Sequence, residues 1–135
     1  MSRVQPRDVL LEVNAAFCRR DAQAMVARFA PDAVATDHRG GLGSWRGRDE
    51  LLAYYAGICD TALAIREDLE IVSEHGEVVI ADAVFNAQLS EEGGPDEFSL
   101  SYALAAVVSD GLIRELGVHE DVAAASQAAP MPETS

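Results

Sequence analysis

Apolar residues in the first half of the chain recur at the three- and four-residue spacing of amphipathic helices. A first helix is predicted over residues 6–19, with an apolar stripe made of Val9, Leu10, Val13 and Phe17. Asp21 is placed to cap a second helix, which Pro31-Asp32 ends. A third helix begins at Asp49. Between the second and third helices, a short strand is predicted over residues 33–38 and a glycine-rich loop over residues 40–47.

From residue 63 the period changes to the two-residue alternation of β-strands. Strands are predicted over residues 63–73, 77–89, 98–108 and 112–120, and Asp110-Gly111 is a strong tight-turn signal between the last two. From Ala123 onward the residues are small and polar. We therefore expect one domain over residues 1–122, followed by a disordered tail over residues 123–135.

This order of elements predicts an α+β fold in which three N-terminal helices cover one face of a curved, mainly antiparallel sheet. Both faces of the long strands are largely apolar, so the face away from the helices also needs cover. A partner subunit is the simplest candidate, and a homodimer is therefore expected.

Composition limits the possible partners and reactions. Ten basic residues against 23 acidic ones give a formal net charge of −13, which argues against nucleic acid or an anionic membrane surface as a partner. All basic residues are arginine, so a lysine Schiff base is excluded. The three histidines are not spaced like a zinc site, and we expect neither a metal nor another cofactor. Without a visible signal peptide or a long apolar run, a cytoplasmic protein is expected.

The segment from Val34 to Glu50 holds the first candidate chemistry, because Asp37, His38 and Arg39 follow a short apolar run. A carboxyl group at the end of a strand in apolar surroundings can serve as a general acid or base, but it can also simply cap the next loop. Alternation turns His38 away from Asp37 and favours a surface position. Arg39 could clamp a substrate oxygen, although a surface salt bridge is the simpler interpretation.

The last strand offers a second candidate group. His119 and Asp121 lie two residues apart and share a face with Glu115, so the carboxylate could orient the imidazole for proton transfer. The alternative is that the strand frays there and leaves both groups in solvent. Glu115 would lie deeper on the same face and either bind substrate or pair with an arginine.

Four further residues are candidate substrate-binding groups. Asp82 would line the pocket or, on the opposite face, a dimer interface. Tyr55 and Tyr102 would line the pocket or belong to the core. Trp45 would cover an apolar ligand or anchor its loop.

The stretches RFAPDAVATDHRG and GSWRGRDELLAYY, in this order of elements, resemble the nuclear transport factor 2-like superfamily and its SnoaL-like members over residues 6–122. The resemblance implies a cone-shaped fold with an apolar pocket, and homodimers formed through the outer sheet face. It also implies that Asp37 occupies the position of the ketosteroid isomerase base. The oxyanion-hole positions of those isomerases fall near Val13 and Leu104, so that activity as such is not expected. His119 and Asp121 are similar to the acid and histidine of the cyclases.

The sequence therefore predicts a pocket enzyme that uses acid/base chemistry, without a cofactor, to cyclise or isomerise a hydrophobic small molecule such as a polyketide-type intermediate. Asp37 would be the base, and His119 with Asp121 the second proton-handling group. Two alternatives remain open. An epoxide hydrolase or epoxide-opening cyclase would use Asp37, Arg39 and Asp121 around a water, and a non-catalytic binding or dimerisation module would use none of them.

Overall fold

The computed structural model describes residues 5–39, 43–89 and 97–128 of the 135-residue chain. Its helices are α1 (Pro6–Cys18), α2 (Ala22–Val26), α3 (Gly47–Thr61) and α4 (Val122–Ala128). Its strands are β1 (Phe29–Asp37), β2 (Gly43–Arg46), β3 (Ala64–His75), β4 (Val78–Gln88), β5 (Glu97–Ser109) and β6 (Leu112–His119). None of the helices in these ranges is long and apolar enough to cross a membrane.

The six strands form one curved, open sheet in the order β2-β1-β6-β5-β4-β3. β1 and β6 run parallel, and the other neighbouring pairs are antiparallel. On the inner face, α1 packs against β3 and α3 packs against β1. Phe17 of α1 stacks on Phe85 of β4 with ring centroids 5.6 Å apart, which joins the helix layer to the centre of the sheet.

The α+β architecture and two of the predicted local signals are confirmed. The Asp21 side chain accepts a hydrogen bond from the backbone N–H of Ala24 at 3.0 Å and caps α2. Asp110 and Gly111 both have positive φ, as a two-residue turn between twisted strands requires, and they connect β5 to β6.

The predicted end of the second helix is wrong, because β1 already begins at Phe29 and includes Pro31. The pairing of β1 with β6 is interrupted between Phe29 and Val34, so the missing N–H of Pro31 removes no ladder hydrogen bond. Part of the predicted loop over residues 40–47 is the edge strand β2. Residues 40–42 lie outside the described residues.

The described residues contain four helices rather than the three predicted, because residues 122–128 form α4 where a disordered tail was expected from residue 123. Asp121 caps this helix through the backbone N–H of Ala124 at 2.8 Å. Ala125 is fully buried against the outer sheet face, beside Ile80 and Ala105. Apolar cover therefore explains the order of this segment. Residues 129–135 lie outside the described residues.

Candidate active site

A cavity of about 510 Å³ lies between the helices and the inner face of the sheet. Strands β3 to β6 line it with the inward-facing side chains of Leu69, Phe85, Leu100, Tyr102, Leu104 and Val118. Phe17 of α1 and Tyr55 of α3 close the helix side. A cavity of this volume, with mostly apolar walls and a few polar groups, has the features of a small-molecule site.

Asp37 and Arg39 form an ion pair at one end of this cavity. The Arg39 Nε donates to Asp37 Oδ1 at 3.0 Å, and Nη2 donates to Oδ2 at 2.8 Å. The backbone N–H of Arg39 also donates to Oδ1, so the loop after β1 is folded around the carboxylate. Asp37 is 4% exposed. The pair is therefore a bidentate, largely buried contact rather than a surface salt bridge.

The environment of Asp37 keeps its carboxyl group ionised. Burial alone would raise the pKa of Asp37, but the hydrogen bonds and the charge of Arg39 outweigh it, and the pKa lies below its usual value. The same contact raises the pKa of the Arg39 guanidinium. At neutral pH, Asp37 is therefore a carboxylate with a fixed cation beside it, and a weak base.

Glu67 of β3 is a second carboxyl group in the same cavity, and it is 8% exposed. The hydroxyl of Tyr102 donates a hydrogen bond to its Oε2. The structure gives Glu67 no salt bridge within the described ranges, and burial raises the pKa of Glu67 to about 7. Glu67 can therefore gain or lose a proton near neutral pH.

Helix α1 fixes the backbone of Glu67. The Asn14 Nδ2 donates to the Glu67 carbonyl oxygen at 2.9 Å, and the Glu67 N–H lies 3.3 Å from the Cys18 sulfur. Both side chains come from the face of α1 that meets β3. The position of the carboxyl group is therefore set by two elements of the fold rather than by a loop.

Aromatic rings connect the two carboxyl groups. Arg39 lies over the ring of Tyr102 at 4.9 Å, within the range of a cation–π contact. Trp45 of β2 stacks on Tyr54 of α3 with centroids 3.8 Å apart. The Tyr102 ring thus meets Arg39 on its face, and its hydroxyl meets Glu67.

The structure brings five of the predicted site residues to this cavity: Asp37, Arg39, Trp45, Tyr55 and Tyr102. The other four lie elsewhere. Asp82 and Glu115 are exposed and point away from the cavity. Asp121 follows the end of β6 and caps α4, so it is not part of a strand face.

His119 is buried, but on the outer face of the sheet. Its ring stacks on that of His38 with centroids 4.4 Å apart and an interplanar angle of 8°. Both imidazoles cross the strand beside Gly117, where an added Cβ would lie 2.7 Å from His119 Nε2. Burial, helped by His38, lowers the pKa of His119, although the charge of Asp37 opposes this. The expected placement of His119 and Asp121 beside Asp37 is therefore not the one found.

Sequence reasoning missed Glu67 and Asn14, although each carries a readable signal. Glu67 stands in the alternating row Ile65, Glu67, Leu69 and Ile71 of β3. Asn14 stands in the helical stripe of Leu10, Val13 and Phe17. A polar residue at a core position of an apolar repeat needs a partner or a function. Across the described ranges, no three His, Cys, Asp or Glu side chains come together as a metal site.

Comparison with known families and structures gives one family match. The model of the SnoaL-like domain matches residues 10–116, whereas no curated protein matches the chain. A hypothetical protein from Catenulispora acidiphila with a ketosteroid isomerase-like fold, in complex with trimethylamine, has a TM-score of 0.73 at 18% identity, with 96% of each chain covered.

Two further solved structures are similar. The "putative polyketide cyclase" of Xanthomonas campestris has a TM-score of 0.68 at 22% identity and covers 89% of this chain and 96% of its own. TerC, crystallised with polyporic acid, has a TM-score of 0.70 at 19% identity, with 90% and 95% covered. At these identities the structures show a shared fold.

Proposed function

This chain belongs to the SnoaL-like domain family, and we propose that its cavity catalyses proton transfer on an apolar carbonyl compound without a cofactor. Removal of a proton next to a carbonyl group is the step that isomerisation and aldol-type cyclisation share. The observation that carries the proposal is Glu67, a carboxyl group with a pKa of about 7 on the wall of an apolar cavity. A general acid or base is most effective when its pKa lies near the working pH.

The two carboxyl groups divide the roles. Asp37 keeps its negative charge because Arg39 is paired with it, whereas Glu67 changes charge near neutral pH. We assign proton transfer to Glu67 and assign Asp37 the task of holding Arg39 in place. This replaces the expectation that Asp37 is the base. Arg39 Nη1, which makes no hydrogen bond to any described residue, would polarise the substrate oxygen.

The test uses 2-tetralone, a small apolar ketone with exchangeable protons next to its carbonyl group. In heavy water, proton NMR measures the rate at which deuterium replaces these protons, with the rate in buffer subtracted. Glu67→Gln removes the proton acceptor without changing the shape of the side chain, and the catalysed rate should fall by at least about 100-fold.

Glu77→Gln is the matched control, since it removes an exposed carboxyl group between β3 and β4, outside the cavity, and should leave the rate unchanged. Retention of the full rate in Glu67→Gln would refute the assignment. Tight ligand binding with no exchange above buffer would favour the non-catalytic binding module.

Epoxide hydrolysis is the second candidate, because the Asp37–Arg39 pair and the carboxyl group of Glu67 line one cavity. A water between two carboxyl groups could attack an epoxide, with Glu67 in the place expected for Asp121. The label in heavy-oxygen water separates the two reactions. A diol carrying the label, formed from limonene epoxide, would support hydrolysis, whereas our proposal predicts no diol above the uncatalysed amount.

We also propose that two copies of the chain pair through the outer sheet face. On β4, Val84 is 39% exposed between Asp82 and Asn86, and α4 covers only the part of the face near Ile80. Light scattering during size-exclusion chromatography measures the mass. Val84→Glu should shift the protein towards the monomer, and a monomeric parent protein would refute the pairing.

A further inference from the structure

Asn14 has a fixed orientation on the wall of the cavity. Its Nδ2 donates to the carbonyl oxygen of Glu67 at 2.9 Å. A carbonyl oxygen can only accept, so the amide nitrogen must face β3 and the amide oxygen must point elsewhere. Oδ1 of Asn14 is then a buried acceptor with no hydrogen bond in the described part of the chain.

Two donors close to Glu67 are already in use. The hydroxyl of Tyr102 donates to Glu67 Oε2, and the Cys18 thiol faces the Glu67 carbonyl oxygen at 3.8 Å. Asn14 Oδ1 therefore lacks a donor among the described residues, which is unfavourable in a buried site. A ligand in the cavity that supplies a donor to this oxygen removes that cost.

The opposite end of the cavity has the opposite hydrogen-bonding character. Arg39 uses Nε and Nη2 on Asp37, and its Nη1 has no hydrogen bond to the residues that the structure describes. The β1 end therefore offers a donor, and the α1–β3 end offers an acceptor. Aromatic side chains also line the cavity, including Phe17, Phe85 and Tyr54. These walls fit a flat apolar ring system.

We propose that the cavity selects hydroxylated aromatic ketones, whose hydroxyl group donates to Asn14 Oδ1 while the ketone oxygen accepts from Arg39. This inference rests on the proposed function and adds the substrate class to it. Asn14 is the specificity-determining residue, because it is the group that distinguishes a hydroxyl from an ether or a hydrogen at that end. Proton transfer stays with Glu67.

The test compares two ligands that differ only at the hydroxyl. 6-Hydroxy-2-acetylnaphthalene has both a donor and a carbonyl group, and 6-methoxy-2-acetylnaphthalene lacks the donor. Isothermal titration calorimetry gives Kd for each. We expect the parent protein to bind the hydroxyl compound about 10-fold more tightly, as one hydrogen bond in a buried site allows. In Asn14→Leu, which keeps a similar volume, the ratio should fall to about 1.

Thr61→Val is the matched control. Thr61 also lines the cavity, but its hydroxyl already donates to the Gly57 carbonyl oxygen at 2.7 Å, so its loss should leave the ratio at about 10. An unchanged ratio in Asn14→Leu would overturn the proposal. So would equal binding of the two ligands, or no binding of either at about 1 mM, by the parent protein.

A measurement on the parent protein keeps the proposal testable if Asn14→Leu does not fold. Intermolecular nuclear Overhauser effects should join the ring protons beside the hydroxyl to the Asn14 side chain, and the acetyl methyl group to Arg39. The reverse orientation would overturn the proposal. Failure of the proposed function can be told apart from failure of this inference. If the parent protein shows the 10-fold ratio of Kd values but catalyses no proton exchange, the catalysis alone is refuted. If it catalyses exchange but binds the two ligands equally, the substrate class alone is refuted.

Discussion

Asp37 and Glu67 are two carboxyl groups on the wall of one cavity, but their surroundings act on them in opposite ways. Each is less than one-tenth exposed. Asp37 has a guanidinium in bidentate contact and a pKa below its usual value. Among the described residues, the Glu67 carboxyl group has a tyrosine hydroxyl but no cation as a partner, and its pKa is about 7. Burial of the residue therefore does not decide the charge state of a carboxyl group. The presence or absence of a paired cation does.

Removing the Arg39 cation should abolish the difference between the two carboxyl groups, and it should cause the largest loss of stability among these variants. Arg39→Met leaves the Asp37 carboxylate buried without a cation, with the backbone N–H of residue 39 as its remaining donor. We expect the free energy of unfolding at pH 7 to fall by about 3 kcal/mol. Urea denaturation measures it. The double variant Arg39→Met/Asp37→Asn should recover most of the loss, because it carries no buried charge at that end. A single variant as stable as the parent would show that Asp37 needs no cation.

The second largest effect is expected in the pH dependence of the free energy of unfolding, to which Glu67 and Asp37 should contribute in different pH ranges. The folded pKa of Glu67 is raised from 4.5 to about 7, so its contribution is fully present below pH 4.5 and is lost as the pH rises to about 7. The shift corresponds to roughly 3 kcal/mol. Glu67→Gln should remove this loss, so its stability should exceed that of the parent increasingly between pH 4.5 and 7.

Asp37 should act in the opposite pH range. Its folded pKa is lowered, so the ionised carboxylate stabilises the protein above its usual pKa of 3.8, and this stabilisation is lost as the pH falls through the lower folded value. The curve of unfolding free energy against pH should therefore differ in shape between Asp37→Asn and the parent only at acidic pH.

The outcome that would contradict the Glu67 prediction is also clear. Equal curves of unfolding free energy against pH for Glu67→Gln and the parent would contradict the assigned pKa of Glu67.

The position of Asp37 could be predicted from the sequence, because the short apolar run before it fixes the strand. The partners of each carboxyl group could not. Glu67 and Tyr102 lie on strands that are separated by β4, and their side chains meet across it because the sheet is curved. The family resemblance pointed to Asp37 as the base, but it contained no information on how Arg39 changes its pKa.

The last strand, β6, shows a second limit of prediction from the sequence: the two-residue period does not tell which residues face inward. Ile113 and Leu116 are both buried although they lie three residues apart, because the register of β5 and β6 shifts between Val107 and Val108. A bulge reverses which residues face inward, and the sequence gives no sign of it. His119 consequently lies on the outer face. Glu115 lies on the same face, as the two-residue period predicted for this pair.

Tyr102→Phe should increase the difference in pKa between Glu67 and Asp37, and this effect is smaller than those of the variants above. Without the hydroxyl, the Glu67 carboxylate loses its hydrogen-bond donor, and the neutral form is favoured further. We expect the pKa of Glu67 to rise by about 1 unit, the equivalent of one hydrogen bond to a charged group. Carbon NMR of the Glu67 carboxyl group during a pH titration measures it. The pKa of Asp37 is the internal control, and a fall in the pKa of Glu67 would contradict the assigned direction of the hydrogen bond.

The smallest effect is expected from a pair that has the same chemistry as Asp37–Arg39 but lies in solvent. Arg66 and Asp68 are also two residues apart, and the Arg66 Nε lies 3.1 Å from Asp68 Oδ2, but the side chains are 76% and 59% exposed. Arg66→Met should change the free energy of unfolding by less than about 0.5 kcal/mol, because water solvates Asp68 when the arginine is gone. Urea denaturation beside Arg39→Met gives the comparison directly. Equal losses in the two variants would show that the contact itself, and not its burial in the cavity, stabilises the protein.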